Sequence, residues 1–278
     1  MTMSGITLTS AMRTNLLSLQ GTQDLISLTQ NRLATGLKVS SAIDDPRNFF
    51  QSQALNARAS DLGRRLDGMG LAIKTIEAAD KGITAMTKVA ESMAAVAKQA
   101  QDSSSAAERT TLLAQFNELR AQLTNLAQDS GFNGTNLLGG NNLSVAYNED
   151  GTNSSTVTAV TWSTGDPAGI AAGADWDDAD LGDGATAINT AATAVNTAIS
   201  TMRTQAATFG SSLTMVRIRE DFTKQMVNTL KGGADGLVLA DQNEEAANLL
   251  ALQTRQQLGV QALSLASQSQ QGILRLFN

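Results

Sequence analysis

The side chains of this sequence that could share acid–base work are carboxylates alone: the pairs Asp44/Asp45, Asp177/Asp178 and Glu244/Glu245. Two carboxyls held at one site can drive their pKa values apart and divide the roles of acid and base. Adjacent residues on a helix face different ways, however, so none of these pairs converges on one point. Two acids also have simpler roles. Asp45 precedes Pro46 as an N-cap followed by proline at the first helical position, and Asp241 with Glu244 forms the aspartate version of a capping box. The chain holds no histidine and no cysteine. That removes nucleophile–histidine catalysis, thiolate or imidazole metal sites and any disulfide. The glycine-rich stretches 63–70 and 138–142 do not follow a strand into a helix with phosphate-loop spacing. The acidic run Asp175–Asp183 lacks the spacing and terminal bidentate glutamate of a calcium loop. The expectation is no catalytic residue, no metal and no cofactor.

Composition points to helices instead. The chain is 42% hydrophobic but only 4% aromatic, and it has two prolines in 278 residues. Cores must then be built from Ala, Leu, Ile, Val and Met, which favours long helices packed side by side. The net charge of −6 is mixed along the chain, unlike a nucleic-acid binder with its bases gathered on one face. The first twenty residues have neither the apolar run nor the cleavage site of a Sec-type signal. No segment reaches the roughly 18–20 apolar residues of a membrane span, so no membrane insertion is expected.

Heptad spacing shows how these helices are meant to pack. Met12, Leu19, Ile26 and Leu33 form one seven-residue line. Leu16, Gln23, Gln30 and Leu37 form its companion, a helix seeking a partner seam. The glutamines dilute that seam, so the helix alone would be weak in water. Thr35-Gly36 closes it, and residues 36–45 read as a connector. From Pro46 the line resumes through Leu55, Leu62, Met69, Ile76, Ile83, Ala90 and Ala97, accompanied by Leu66, Ile73, Asp80, Thr87 and Ala94. Gly63, Gly68, Gly70 and Gly82 interrupt it, each worth about 1 kcal/mol less than alanine in a helix. Close approach of another helix and local fraying both account for them.

A capping box at Ser105–Glu108 opens a third helix with the stripe Leu112, Phe116, Leu119, Leu123 and Leu126, stopping near 129–131. Residues 132–184 are rich in Gly, Asn, Asp, Ser and Thr, with β-prone pieces at 143–147 and 156–162, and predict surface hairpins and loops. A fourth helix runs from about 185 to 230 on Ile188, Val195, Met202, Phe209, Val216, Thr223 and Leu230, with Lys231-Gly232-Gly233 ending it. The last helix follows Asp241 and carries Leu249, Leu252, Leu258, Ala262, Leu265 and Ile273.

The pattern is symmetric about the middle. It predicts a mainly α protein, a long coiled-coil-like bundle folded back on itself into a rod, with a small β-hairpin-rich insert. Residues 1–40 pair with 238–278, residues 41–140 with 185–237, and 141–184 form the short exposed insert. Both terminal helices carry apolar stripes wider than one helical pair can bury. Helices of that kind order when further copies cover them, and identical subunits meeting head to tail with a non-closing rotation build a filament. An ordinary bundle whose termini complete its own core is the other reading of the same pattern.

Short motifs bear on that choice. The run Asn31-Arg32-Leu33-Ala34-Thr35-Gly36-Leu37 through Asp44-Asp45 resembles the N-terminal signature of bacterial flagellins, RLSSGLRINSAKDDAA. Phe132-Asn133-Gly134-Thr135-Asn136-Leu137-Leu138 is similar to the turn that closes the family's N-terminal core. The stretch Ala240–Leu249, the glutamine-rich helix after it and the terminal LRLFN resemble the C-terminal helix. The resemblance implies a structural subunit that self-assembles into the flagellar filament. It implies polymerisation through Met12, Leu16, Leu19, Ile26, Leu33, Leu249, Leu252, Leu258, Leu265 and Ile273. It implies motif roles for Arg32, Gly36, Asp44, Asp45, Phe132, Asn133, Gly134, Leu137 and Leu138. Implied partners are further copies of the chain, an export chaperone, the cap and the hook-junction proteins. The implied location is the extracellular filament, reached by type III export without a cleaved signal. A hook–filament junction protein shares the terminal helices, and a monomeric helical binding module is the alternative from another class. Pro46-Arg-Asn-Phe-Phe50 departs from the small-residue run usual after the Asp pair. Ala90-Glu91-Ser92-Met93 stands where some members carry an arginine-bearing run read by an innate immune receptor, which implies weak recognition here.

Overall fold

The structure, a computed structural model, describes residues 10–173, 176–177 and 183–276, with the side chains of 11, 183 and 270–276 outside that description. Helices dominate: α1 (Ser10–Thr35), α2 (Pro46–Asp102), α3 (Ala106–Asp129), α4 (Asp183–Val238) and α5 (Gln242–Leu276). The strands β1 (Leu143–Ala146) and β2 (Ser154–Val157) form one antiparallel hairpin. The mainly α, heptad-patterned fold with a small hairpin is as expected. The chain divides into two compact units, Met1–Ala57 with Leu230–Asn278, and Arg58–Thr229. Both divisions fall inside long helices.

Helix starts follow the capping residues. The Asp45 carboxylate accepts from Asn48 N at 3.1 Å, with Pro46 opening α2. Asp241 accepts from Asn243 N and Glu244 N ahead of α5. Ser105 caps α3 by accepting from Glu108 N, but the return half of that box is relayed. Ser103 Oγ donates to Glu108 and accepts from Ser105 N.

The Arg58–Thr229 unit has one core. The predicted α4 line is fully realised, with Ile188, Val195, Met202, Phe209, Val216 and Thr223 all buried. Along α2 the buried pairs are 69/72, 76/79, 83/86, 90/93 and 97/100. The companion line therefore sits three residues after the main line, whereas the sequence reading placed it four after, where Asp80 is exposed. Both offsets occur in a heptad, and only the partner decides which one faces it. Glu77 pairs with Arg217 and Glu91 with Arg203, which sets α2 and α4 antiparallel. Lys74 and then Arg217 hold the Glu77 carboxyl below its ordinary pKa.

Three expectations need correction. First, α4 runs through Lys231-Gly232-Gly233 to Val238. Ala234 is fully buried and the Gly233 backbone lies near Leu55, so packing offsets the low helix propensity of glycine. Second, β2 lies at 154–157, upstream of the predicted 156–162 piece. The turn at Asn148–Gly151, closed by the Tyr147 N–H donating to Asn153 O, sets that register. Residues 160–162 return instead to the 137–139 backbone through Val160 N→Leu137 O and Trp162 N→Leu138 O. Third, the insert is only partly at the surface. Val145, Tyr147, Val157, Trp162, Ile170 and Trp176 belong to the bundle core, and Trp176 packs on Phe116 at 5.1 Å. Its abundance of polar residues hid these single apolar side chains.

Candidate assembly surface

The terminal helices form an antiparallel pair within their own unit. As α1 proceeds through Leu19, Gln23 and Arg32, its partners on α5 are Gly259, Gln256 and Glu245. A Cβ added at Gly259 would lie 2.7 Å from Leu19, so this glycine lets the helices meet closely. Gln256 Nε2 donates to Gln23 Oε1 at 2.6 Å. Arg32 Nη1 donates to Glu245 Oε1 at 3.0 Å, on a glutamate that is almost entirely buried.

The burial pattern separates two faces on each helix. On α1 the seam is Met12, Leu19, Thr22, Ile26, Thr29 and Leu33. Thr22 and Thr29 are the companions, again at the three-residue offset, and Leu16 and Gln23 lie outside. The buried Thr22 hydroxyl donates to Ser18 O, which removes the penalty of an unpaired polar group. On α5 the seam is Glu245, Leu249, Leu252, Gln256, Gly259 and Leu263. Leu258 and Leu265 turn away from it, 60% and 70% exposed. Leu250, Val260, Leu17, Leu25 and Leu28 join them as exposed apolar residues. The Ile273 side chain lies outside the described residues. Among the predicted residues, then, Met12, Leu19, Ile26, Leu33, Leu249 and Leu252 complete the seam, while Leu16, Leu258 and Leu265 are left to solvent.

The motif residues are structural. Gly36 sits at φ +71°, the left-handed conformation that ends α1, and its N–H donates to Arg32 O. Asp44 Oδ2 accepts from Ser40 N, Ser40 Oγ and Ser41 N, which folds the connector into a loop. Leu37 and Leu239 form an isolated antiparallel bridge in the same unit. In the other unit, Asn133 (φ 49°) and Gly134 (φ 79°) form a two-residue turn between Phe132 and Thr135, which exchange both backbone hydrogen bonds. Positive φ at both positions is the signature of an Asn-Gly type I′ hairpin. Leu137 and Leu138 then enter the core fully buried.

The comparisons with known proteins agree with this arrangement. The profile of the bacterial flagellin N-terminal helical region matches residues 6–143, and that of the C-terminal helical region matches 192–277. Flagellin FljM of Caulobacter vibrioides is 31% identical over 280 residues, covering 100% of both chains. The chain belongs to the bacterial flagellin family. As a flagellin it is a structural subunit of the flagellar filament. The flagellin of Brucella melitensis is 30% identical over 282 residues, covering 99% of each chain. The crystal structure of Bacillus cereus flagellin aligns with 55% of this chain and 86% of that one, at 18% identity and a TM-score of 0.47.

Several residues that organise this flagellin were not evident in the sequence. Arg109 is buried and donates to Trp176 O and Ser103 O. Arg120 donates to Ile170 O, Gly165 O and Asp166. Both stand on α3 and fasten the insert to it. Their only sequence signal is a basic residue on an apolar stripe. The paired acids of the sequence reading are taken up locally where they are described: Asp44 and Asp45 by the connector and cap, Glu245 by Arg32. Asp178 lies outside the described residues.

Ser40, through its side chain and backbone, and then Ser41 hold the Asp44 carboxyl below its ordinary pKa. A depressed carboxylate supports the folded loop above the unfolded value, about 3.9, and that support fades as pH falls through the folded value. We expect the exchange protection of the Ser40 and Ser41 amides to hold from neutral pH to about pH 4 and to fall below it. Asp44→Asn should lose the extra protection at every pH, and amide exchange by NMR would read both. A pH-independent protection pattern would show that the carboxylate does not hold the loop.

Proposed function

We propose that the chain polymerises through the outward faces of its paired terminal helices. Residues 1–40 with 238–278 form the inner tube of the filament. The bundle of 41–140 with 185–237 surrounds it, and the polar side of 141–184 faces outward. The observation that carries this reading is the split of α5 into two apolar faces, one buried on α1 and one, with Leu258 and Leu265, open to water. A soluble monomer rarely exposes so many large apolar side chains on two helices without a partner. The role is structural and not catalytic, because the described paired acids serve caps and ion pairs. The subunit reaches the extracellular filament through the flagellar type III apparatus without a cleaved signal. An export chaperone covers the terminal helices beforehand, and the cap and hook-junction proteins meet them at the ends of the filament.

Electron microscopy of the purified chain after seeding tests the reading, beside a version lacking 1–40 and 238–278. Long tubular filaments are expected from the full chain and none from the truncation. A persistent monomer with protected termini would favour a junction protein or a plain helical module.

A further inference from the structure

Among the described residues of the Arg58–Thr229 unit, five large apolar side chains are exposed, and three of them lie within eight residues of α4: Met215, Ile218 and Phe222. Spacings of three and four place them on one helix face. Arg219 stands beside the strip. Its guanidinium lies 5.3 Å from the centre of the Tyr147 ring, and no carboxylate pairs with it among the described residues.

Beside the strip is a cleft of about 170 Å³ lined by Arg58, Leu62, Tyr147, Arg219, Phe222 and Met226. Arg58 is already engaged with Glu149 at 2.5 Å. Tyr147 is 7% exposed, and its hydroxyl is buried without a hydrogen-bond partner. A buried hydroxyl left unpaired is unfavourable. The two groups that the subunit leaves open, Tyr147 O–H and the Arg219 N–H groups, are both donors. Together they fit a negatively charged acceptor, and a carboxylate matches them best. Phe222 and Arg219 belong to both the cleft and the neighbouring strip, so an occupant that fills the cleft must also cover apolar surface. A small ion would leave the strip wet.

We propose that the Met215–Phe222 strip and the Tyr147 cleft form a docking surface for a second copy of the chain, with an acidic side chain of that copy seated on Tyr147 Oη and Arg219. The inference rests on the reading of the chain as a filament subunit. Acids outnumber bases on each copy, 26 to 20, so the required chemistry is abundant on the partner.

The test is the critical concentration for growth on wild-type seeds, read by sedimentation, for Ile218→Ser, Arg219→Gln, Tyr147→Phe and the Tyr147→Phe/Arg219→Gln double variant. Circular dichroism and thermal melting of each monomer confirm the fold. Ile218→Ser should raise the critical concentration about tenfold, and the two polar variants about three- to tenfold. The double variant should be no worse than the poorer single one, because both act on the same carboxylate. Added salt should raise the critical concentration of the wild type more steeply than that of Arg219→Gln. Wild-type critical concentrations for all the folded variants would overturn the proposal. So would unchanged growth combined with a chloride- or phosphate-dependent shift of the Tyr147 resonance in the monomer, which would make the cleft a site for free anions only. Failure of the wild-type chain itself to grow filaments would instead sink the reading as a filament subunit, and this inference with it.

Discussion

Gly82→Ala is expected to destabilise the bundle by about 3 kcal/mol, the upper end of the usual cost of overpacking. A Cβ at this position would stand 2.0 Å from Ser130 Oγ, 2.6 Å from Ser130 Cβ and 3.0 Å from Leu138 Cδ1. None of these atoms can move aside cheaply. Ser130 is buried and its hydroxyl donates to Leu126 O at 2.5 Å, while Leu138 is fully buried. Chemical denaturation of the monomer would measure the loss. Ser130→Gly should recover most of it in the Gly82→Ala background while costing stability by itself, a coupling that only contact between the two sites produces. Additive effects would show that α2 and the segment leading into the Phe132–Leu138 turn do not meet at Gly82. Alanine at Gly63, Gly68 or Gly70 is the control. Nothing lies within 4 Å of their added Cβ atoms, so alanine there should stabilise the helix by about 1 kcal/mol or less.

Leu258→Ser combined with Leu265→Ser is expected to abolish filament growth at any concentration near that of the wild type. Burying one leucine contributes about 1.5–3 kcal/mol, and every 1.4 kcal/mol is a factor of about ten in an equilibrium constant. Losing both should raise the critical concentration about 100-fold or more. The monomer should melt as before, since neither side chain belongs to the α1/α5 seam. Leu249→Ala with Leu252→Ala makes the complementary case. These residues lie on the seam, so pairing of the terminal helices should weaken first and growth should fail in consequence. Normal growth of the Leu258/Leu265 variant on wild-type seeds would mean that the open face of α5 is not an intersubunit surface.

The four glycines of α2 show how far local pattern reaches. Their presence raised close approach or fraying as equal readings, and the answer differs by position. Gly82 meets another segment across a separation of some fifty residues in the chain, while the other three face open space within the subunit. The companion lines of α1 and α2 show the same limit. A heptad repeat marks a main line without ambiguity, but whether its partner sits three or four residues on depends on the direction from which the facing helix arrives. Thr22 and Thr29 were passed over because polar residues rarely line a seam, yet Thr22 is satisfied by its own helix. Tyr147 and Arg219 lie far apart in sequence and carried no pattern at all.

Much was nonetheless determined by sequence alone. Caps at Asp45, Ser105 and Asp241, the stop at Gly36, the Asn133-Gly134 turn and the heptad line of α4 are local or periodic signals, and backbone geometry reads those within a few residues. The absence of histidine and cysteine excluded whole classes of chemistry before any fold was known. Tertiary structure decided what depends on meeting a distant partner. It carried α4 past its glycines because Ala234 had a place to pack. It drew Trp162 and Trp176 out of a polar insert into the core. On α5 it turned Leu249 and Leu252 inward and Leu258 and Leu265 outward. Those four leucines look alike in sequence, and the distinction between holding the subunit together and joining it to others comes from burial by a neighbouring helix, which hydrophobic spacing cannot report.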